Sequence, residues 1–273
     1  MVPSLLILTD FFQAAEGALD YATNLAAPLG ARLVLLHVRR DSILDPDLFT
    51  GELSNLNQHA IELALNSITT KLPVPVVAEV GHGRVAYAVA DAVSRHHPTL
   101  IVLGRPDPEN TPDELVNTTA LDILRTAPYP MLVVPHSVHT TSPPRRVLLA
   151  VDGETFSLGQ HAGAMRHLLD ALHAELTVLH VTETPNPDET AAVLAMVQRT
   201  GLTADLTQPI QSLSINAVAP AEGILQVARP ADFDVVMLIA RPRSFLGELF
   251  HHSVTAQVLL HSPVPVLVLP ATE

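Results

Sequence analysis

The chain has 273 residues and a formal net charge of −13 at neutral pH, with Lys71 its only lysine; this balance excludes sequence-independent nucleic-acid binding, which needs cations along the phosphate backbone. It holds no cysteine, which excludes disulfides, thiolate metal sites and thiol nucleophiles. Apolar residues make up 48% of it, yet runs such as Val235–Ala240 fall far short of the roughly 20 residues of a membrane span, so a soluble chain is expected.

The N-terminal MVPSLLILTD lacks a basic leader and its apolar run breaks at Asp10, so it does not read as a secretory signal; cytoplasmic residence is the expectation. LLIL predicts a first strand, and the spacing of Ala15, Ala18, Leu19, Ala22, Leu25 and Ala26 predicts a helix over 14–29. RLVLLHV, VPVVAEV, TLIVLG and MLVVP follow as continuous apolar runs, the pattern of strands buried on both faces. GHGR (81–84) reads as a glycine-containing turn into a helix over 86–96. After TLIVLG comes a polar loop, and the next helix is expected to open at Asn117-Thr118-Thr119. Strands alternating with helices to a fifth strand specify a doubly wound parallel sheet with right-handed crossovers, whose functional groups belong at the carboxyl ends of the strands.

The same order then repeats. Leu5 to Val38 echoes Val147 to Val181, and Leu100 to Pro135 echoes Val235 to Pro270. The chain therefore reads as one unit duplicated: a first domain over 1–138, a linker over 139–144 and a second domain over 145–273. The seam HSVHTTSPPRR cannot continue a helix or a central strand. In the second unit, GLTADLTQPIQSLSINAV admits either one irregular strand or a small hairpin.

The first strand of each unit ends in a carboxylate, Asp10 and Asp152, which can accept from helix amides or from a ligand's amine or ribose hydroxyl. The fourth strand ends at Gly104 or Ala240, each followed by Arg-Pro. Beyond the loops, Thr118 and Thr119, or Ser253, Val254 and Thr255, place hydroxyls and amides where an anion can bind.

These features resemble the universal stress protein family in its tandem form, across essentially the whole chain. The residues that carry the resemblance are Asp after strand one, LLHV or VLHV at strand two, the loop and helix after strand four, and PYPMLVVP (128–135) with PVPVLVLP (263–270). The resemblance implies two tandem five-stranded Rossmann-like, adenine nucleotide alpha hydrolase-like domains. It also implies that the last strands of the halves, Met131–Val134 and Val266–Leu269, meet as an internal pseudo-dimer, with pairing of whole chains as a further expectation. ATP-binding members carry Gly, two residues, Gly, nine residues, Gly, then Ser or Thr. Here Gly104, Asp107, Asn117 and Thr118 occupy those positions in unit one, with Glu109, Asp113 and Glu114 adding charge that opposes a triphosphate. Unit two has Ala240 and Arg243 for the first two glycines but keeps Ser253-Val254-Thr255, and its loop is cationic through Arg241, Arg243, His251 and His252. SFLGELF is expected as a short packing helix with Phe245, Leu249 and Phe250 on one side.

Neither a P-loop nor a G-x-G-x-x-G after the first strand is present, and no G-x-S-x-G elbow supplies a nucleophile. His96-His97 and His251-His252 point about 100 degrees apart in a helix and cannot chelate one metal, so surface histidines are expected. His37 and His180, within leucine runs, are expected as satisfied interior imidazoles. The resemblance and the broken motif together imply a stress-response binding or regulatory module with degenerate nucleotide clefts, an unknown protein partner, no robust catalysis, no metal and no firm cofactor. The alternative is an ATP- or AMP-binding switch, with slow hydrolysis at most. It would use mainly Asp152, Val181, Ser253, Val254 and Thr255, and secondarily Asp10, Val38, Gly104, Thr118 and Thr119. A third expectation, from composition alone, is a pH-responsive interaction protein built on 14 histidines.

Overall fold

The structure, a computed structural model, describes residues 2–10, 13–39, 51–106, 113–140, 142–184, 186–204, 206–241 and 253–271. The first half runs β1 (Ser4–Thr9), α1 (Gln13–Leu29), β2 (Arg32–Arg39), α2 (Gly51–Thr69), β3 (Val76–His82), α3 (Val85–His96), β4 (Leu100–Arg105), α4 (Asp113–Thr126) and β5 (Met131–Pro135). The second half repeats it: β6 (Arg146–Val151), α5 (Ala162–Ala171), β7 (Glu175–Thr182), α6 (Pro187–Arg199), β8 (Gln211–Asn216), α7 (Pro220–Val227), β9 (Val235–Ala240), α8 (Val254–His261) and β10 (Val266–Pro270). The segment open to either a strand or a hairpin consists of turns after α6 and then the single strand β8.

The strands form one sheet in the order β3-β2-β1-β4-β5-β10-β9-β6-β7-β8. Neighbours are parallel except β5 and β10, which run antiparallel with Met131 opposite Val268 and Val133 opposite Val266. Each half is thus a five-stranded doubly wound α/β unit, the fold class that the sequence specifies. The joint also covers two apolar strand edges that would otherwise template pairing with another chain.

The continuous apolar runs follow from having helices on both faces. Leu5, Ile7, Leu33, Leu35, Val147 and Leu149 point into a core shared with α1 and α5. The alternate positions, Leu6, Val34, Leu36, Leu148 and Ala150, join a second core with α3, α4, α7 and α8. Both cores continue through the two halves. At the amino ends of the strands, Asp234 accepts from the amides of Arg145 and Arg146 at 2.8 and 2.9 Å and from the Arg146 guanidinium at 2.6 Å. Partial burial alone would raise that carboxyl's pKa, but these hydrogen bonds hold it below the usual range.

Two local expectations need correction. The helix expected to open at Asn117 starts at Asp113 instead, because acidic Asp113 and Glu114 suit a first turn. Thr118 and Thr119 therefore lie a turn inside α4, where amides belong to the helix's own ladder and are not free donors. His96 is also no bare surface residue: its Nε2 lies 3.0 Å from Glu79, which binds Arg95 as well. His97 is exposed and closes α3 with φ 45°. Among the described residues, no helix is long and apolar enough to cross a membrane.

Candidate functional site

Strand order reverses between β1 and β4 in the first half and between β6 and β9 in the second. The crevices outside the carboxyl ends of these strand pairs are where doubly wound sheets bind ligands. Asp10 and Asp152 stand on one side of each crevice, Gly104-Arg105 and Ala240-Arg241 on the other.

In the second half the two sides are tied together. Arg241 donates from Nε to Asp152 Oδ2 and from Nη2 to Asp152 Oδ1, both at 2.8 Å. The same guanidinium donates to the carbonyls of Glu154 at 2.8 Å and Thr155 at 3.0 Å. Its side chain is 9% exposed, whereas that of Asp152 is 47% exposed. A planar fork on a carboxylate is the strongest geometry an arginine offers, and here four acceptors surround it. The loop is shaped for this. Glu154 N donates to Asp152 Oδ1 at 3.1 Å, and Gly153 between them adopts φ 80°. A Cβ at Gly153 would also lie 3.2 Å from the His180 ring, so the backbone conformation calls for glycine and the space beside it is tight.

His180 is buried, with Nδ1 at 3.2 Å from the Val151 carbonyl and Nε2 at 3.1 Å from Glu189. His37 repeats the first contact, its Nδ1 at 3.0 Å from the Thr9 carbonyl. Each imidazole pins strand two to the end of strand one.

The first crevice is built differently. A Cβ on Gly104 would fall 2.1 Å from the carbonyl oxygen of Ala14, so this glycine lets α1 cross close above β4. Arg105 reaches across to the other half. It donates to the carbonyls of Leu259 at 2.6 Å and Ser262 at 2.7 Å, at the end of α8. Asp10 is exposed; Val38 is half-buried and pairs with Gly81. Thr119 is half-buried, and the Thr118 side chain lies outside the described residues, as do those of Asp107, Glu109, Asp113 and Glu114.

Around the second crevice, Val181 pairs with Ile215 and packs beneath Gly223, where a Cβ would lie 2.7 Å from it. Ser253 caps α8, its hydroxyl accepting from Ala256 N at 3.1 Å. Val254 is exposed and Thr255 is buried. The remaining cationic residues, Arg243, His251 and His252, and the SFLGELF helix lie outside the described residues. Sequence reasoning gave Arg241 to an anion; the structure gives it to Asp152. The charges at the ends of strands one and four do not by themselves announce this pairing, since the first half carries the same two types at Asp10 and Arg105 and sends its arginine to Leu259 and Ser262. Among the described residues, no cluster of three or more His, Asp or Glu side chains could hold a metal.

Comparison with known proteins agrees with this architecture. No curated protein matches the chain. A universal stress protein from Archaeoglobus fulgidus DSM 4304 shares the fold with a TM-score of 0.74 at 18% identity, covering 98% of each chain. A functionally unknown protein from Pseudomonas aeruginosa PAO1 matches with a TM-score of 0.56 at 21% identity, over 99% of this chain and 93% of that one. The model of the universal stress protein family matches twice, over residues 1–135 and 144–270. With two copies spanning nearly all of its length, the chain belongs to the universal stress protein family, in tandem form.

Proposed function

We propose that the protein is a cytoplasmic stress-response module that works by binding and regulation through a protein partner, with no catalytic turnover and with nucleotide clefts that no longer serve nucleotide. What supports this reading is that the surviving motif residues are committed to the fold. Gly104 makes room for Ala14, Ser253 caps α8, and Asp152 is taken by Arg241. The phosphate-facing glycines that would let a backbone approach a ligand closely are Asp107 and Asn117 in one half and Ala240 and Arg243 in the other.

The test is native mass spectrometry of freshly purified, undialysed protein, followed by release and identification of bound small molecules. The expected result is the mass of the bare chain. An adenine nucleotide near one per chain would overturn the reading in favour of an ATP- or AMP-binding switch.

A further inference from the structure

We propose that Arg241 is a latch: it closes the second crevice by acting as that crevice's own ligand, and it, more than the lost glycines, keeps a nucleotide from Asp152. This rests on the reading of the clefts given above and names the residue responsible. The crevice between β6 and β9 is the one place in this half where the strand order reverses, and Arg241 spans it from the end of β9 to the end of β6. Asp152 stands where a carboxylate accepts from a ribose hydroxyl or an exocyclic amine, the donors of a purine nucleotide. Both of its oxygens already accept from Arg241.

The guanidinium substitutes for such a ligand closely. It donates to the carboxylate with two parallel N–H groups and extends to two backbone carbonyls of the same loop. A ligand must therefore displace an intramolecular group that suffers no loss of translational freedom on binding, a handicap that a free nucleotide meets in full. The corresponding arginine of the first half, Arg105, puts two of its guanidinium nitrogens on carbonyls at the end of α8. The fork of an arginine on the strand-one carboxylate is the second half's own feature among the described contacts. It is also open to release, since half of the Asp152 side chain faces solvent.

The experiment titrates full-length protein with an ATP that carries its fluorophore on the γ-phosphate, leaving ribose and adenine free, in the presence of magnesium, following anisotropy. Wild type is expected to show no saturation up to millimolar concentration. Arg241→Ala is expected to bind at least tenfold more tightly, and Arg241→Ala combined with Asp152→Ala is expected to lose that gain. Arg241→Lys, which keeps the charge but breaks the fork, provides a second variant that preserves the packing. It should gain less than Arg241→Ala. A folded Arg241→Ala or Arg241→Lys protein that binds no better than wild type overturns the latch and leaves the proposed function standing. Saturation of the wild type at micromolar concentration overturns both. A gain that persists in the double variant also overturns the latch, because the nucleotide would then bind without Asp152.

Discussion

The two halves carry the same Arg-Pro after their fourth strands and use the arginine in opposite ways. Arg105 leaves its crevice and fastens the halves together, whereas Arg241 stays and closes its own. The cause lies in the connection after strand one. In the first half α1 begins at Gln13, close behind Asp10, and its first turn lies directly over Gly104. In the second, a loop and one 3-10 turn at Gly159–His161 delay α5 until Ala162. That delay leaves room for the methyl group of Ala240 and turns the carbonyls of Glu154 and Thr155 toward Arg241. A duplicated motif therefore changes role when a neighbouring loop changes, even though the motif itself does not.

The largest effect expected from breaking this comparison is at the glycine. Gly104→Ala places a methyl group on the backbone of Ala14 and forces α1 off the sheet, at a cost of about 3 kcal/mol. The reciprocal Ala240→Gly removes only a buried methyl and adds backbone freedom, at about 1 kcal/mol. Guanidinium unfolding of the pair decides the matter. Equal losses would mean that α1 and the loop of the second half do not differ in the way described.

Next in size is the arginine of the first half. Arg105→Met leaves two carbonyls at the end of α8 without their charged donor, at about 2 kcal/mol. Hydrogen exchange should then quicken at the amide of Ser262, which donates to Val258 within the last turn of α8. Arg241→Met should leave that amide protected. If both variants loosen α8 alike, the arginines are not functionally distinct.

How much of this was legible in the sequence follows from range. The duplication, the doubly wound sheets and the strand ends that carry Asp10 and Asp152 rest on periodicity and repetition, which are local signals. The early start of α4 was legible too, in Asp113 and Glu114, but the threonines drew the boundary inward. What the sequence hid is long-range pairing: Arg105 with Leu259 and Ser262, and Arg241 with Asp152. Identical dipeptides cannot announce different destinations, because the destination depends on where a helix starts elsewhere in the chain.

A smaller effect sharpens the contrast between the helices that meet across the halves. Tyr21 of α1, Leu168 and Leu169 of α5 and Leu172 just after it line one small apolar cavity together with Leu132 and Leu267. The Tyr21 hydroxyl is buried with no hydrogen-bond partner among the described residues. Burial, reinforced by the charge of Asp234, holds the phenol's pKa well above its usual range. Tyr21→Phe should therefore stabilise the protein by about 1 kcal/mol, with a higher unfolding midpoint and an unchanged denaturant slope. A lower midpoint would show that the hydroxyl serves the joint.

The smallest expected effect is one of pH, at a contact that joins the halves by ring edge. Tyr129, just before β5, meets His161, just before α5, with centroids 4.7 Å apart and planes at 73°. Burial lowers the imidazole pKa from its ordinary value of 6.5. Below that value the unfolded chain takes up a proton at His161 that the folded chain resists, so unfolding binds protons and stability falls with falling pH. Above it both states are neutral at this residue and the contribution is flat. The carboxyls of Glu79 and Asp234, held below the usual range by their cationic partners, lose their contribution only at more acidic pH, so the windows separate. Stability measured from pH 7.5 downward should therefore decline below about 6.5 in wild type, and His161→Phe should flatten that first decline while leaving the acid limb in place. An unchanged decline in the variant would assign it to another histidine and remove His161 from the account of how the halves are held.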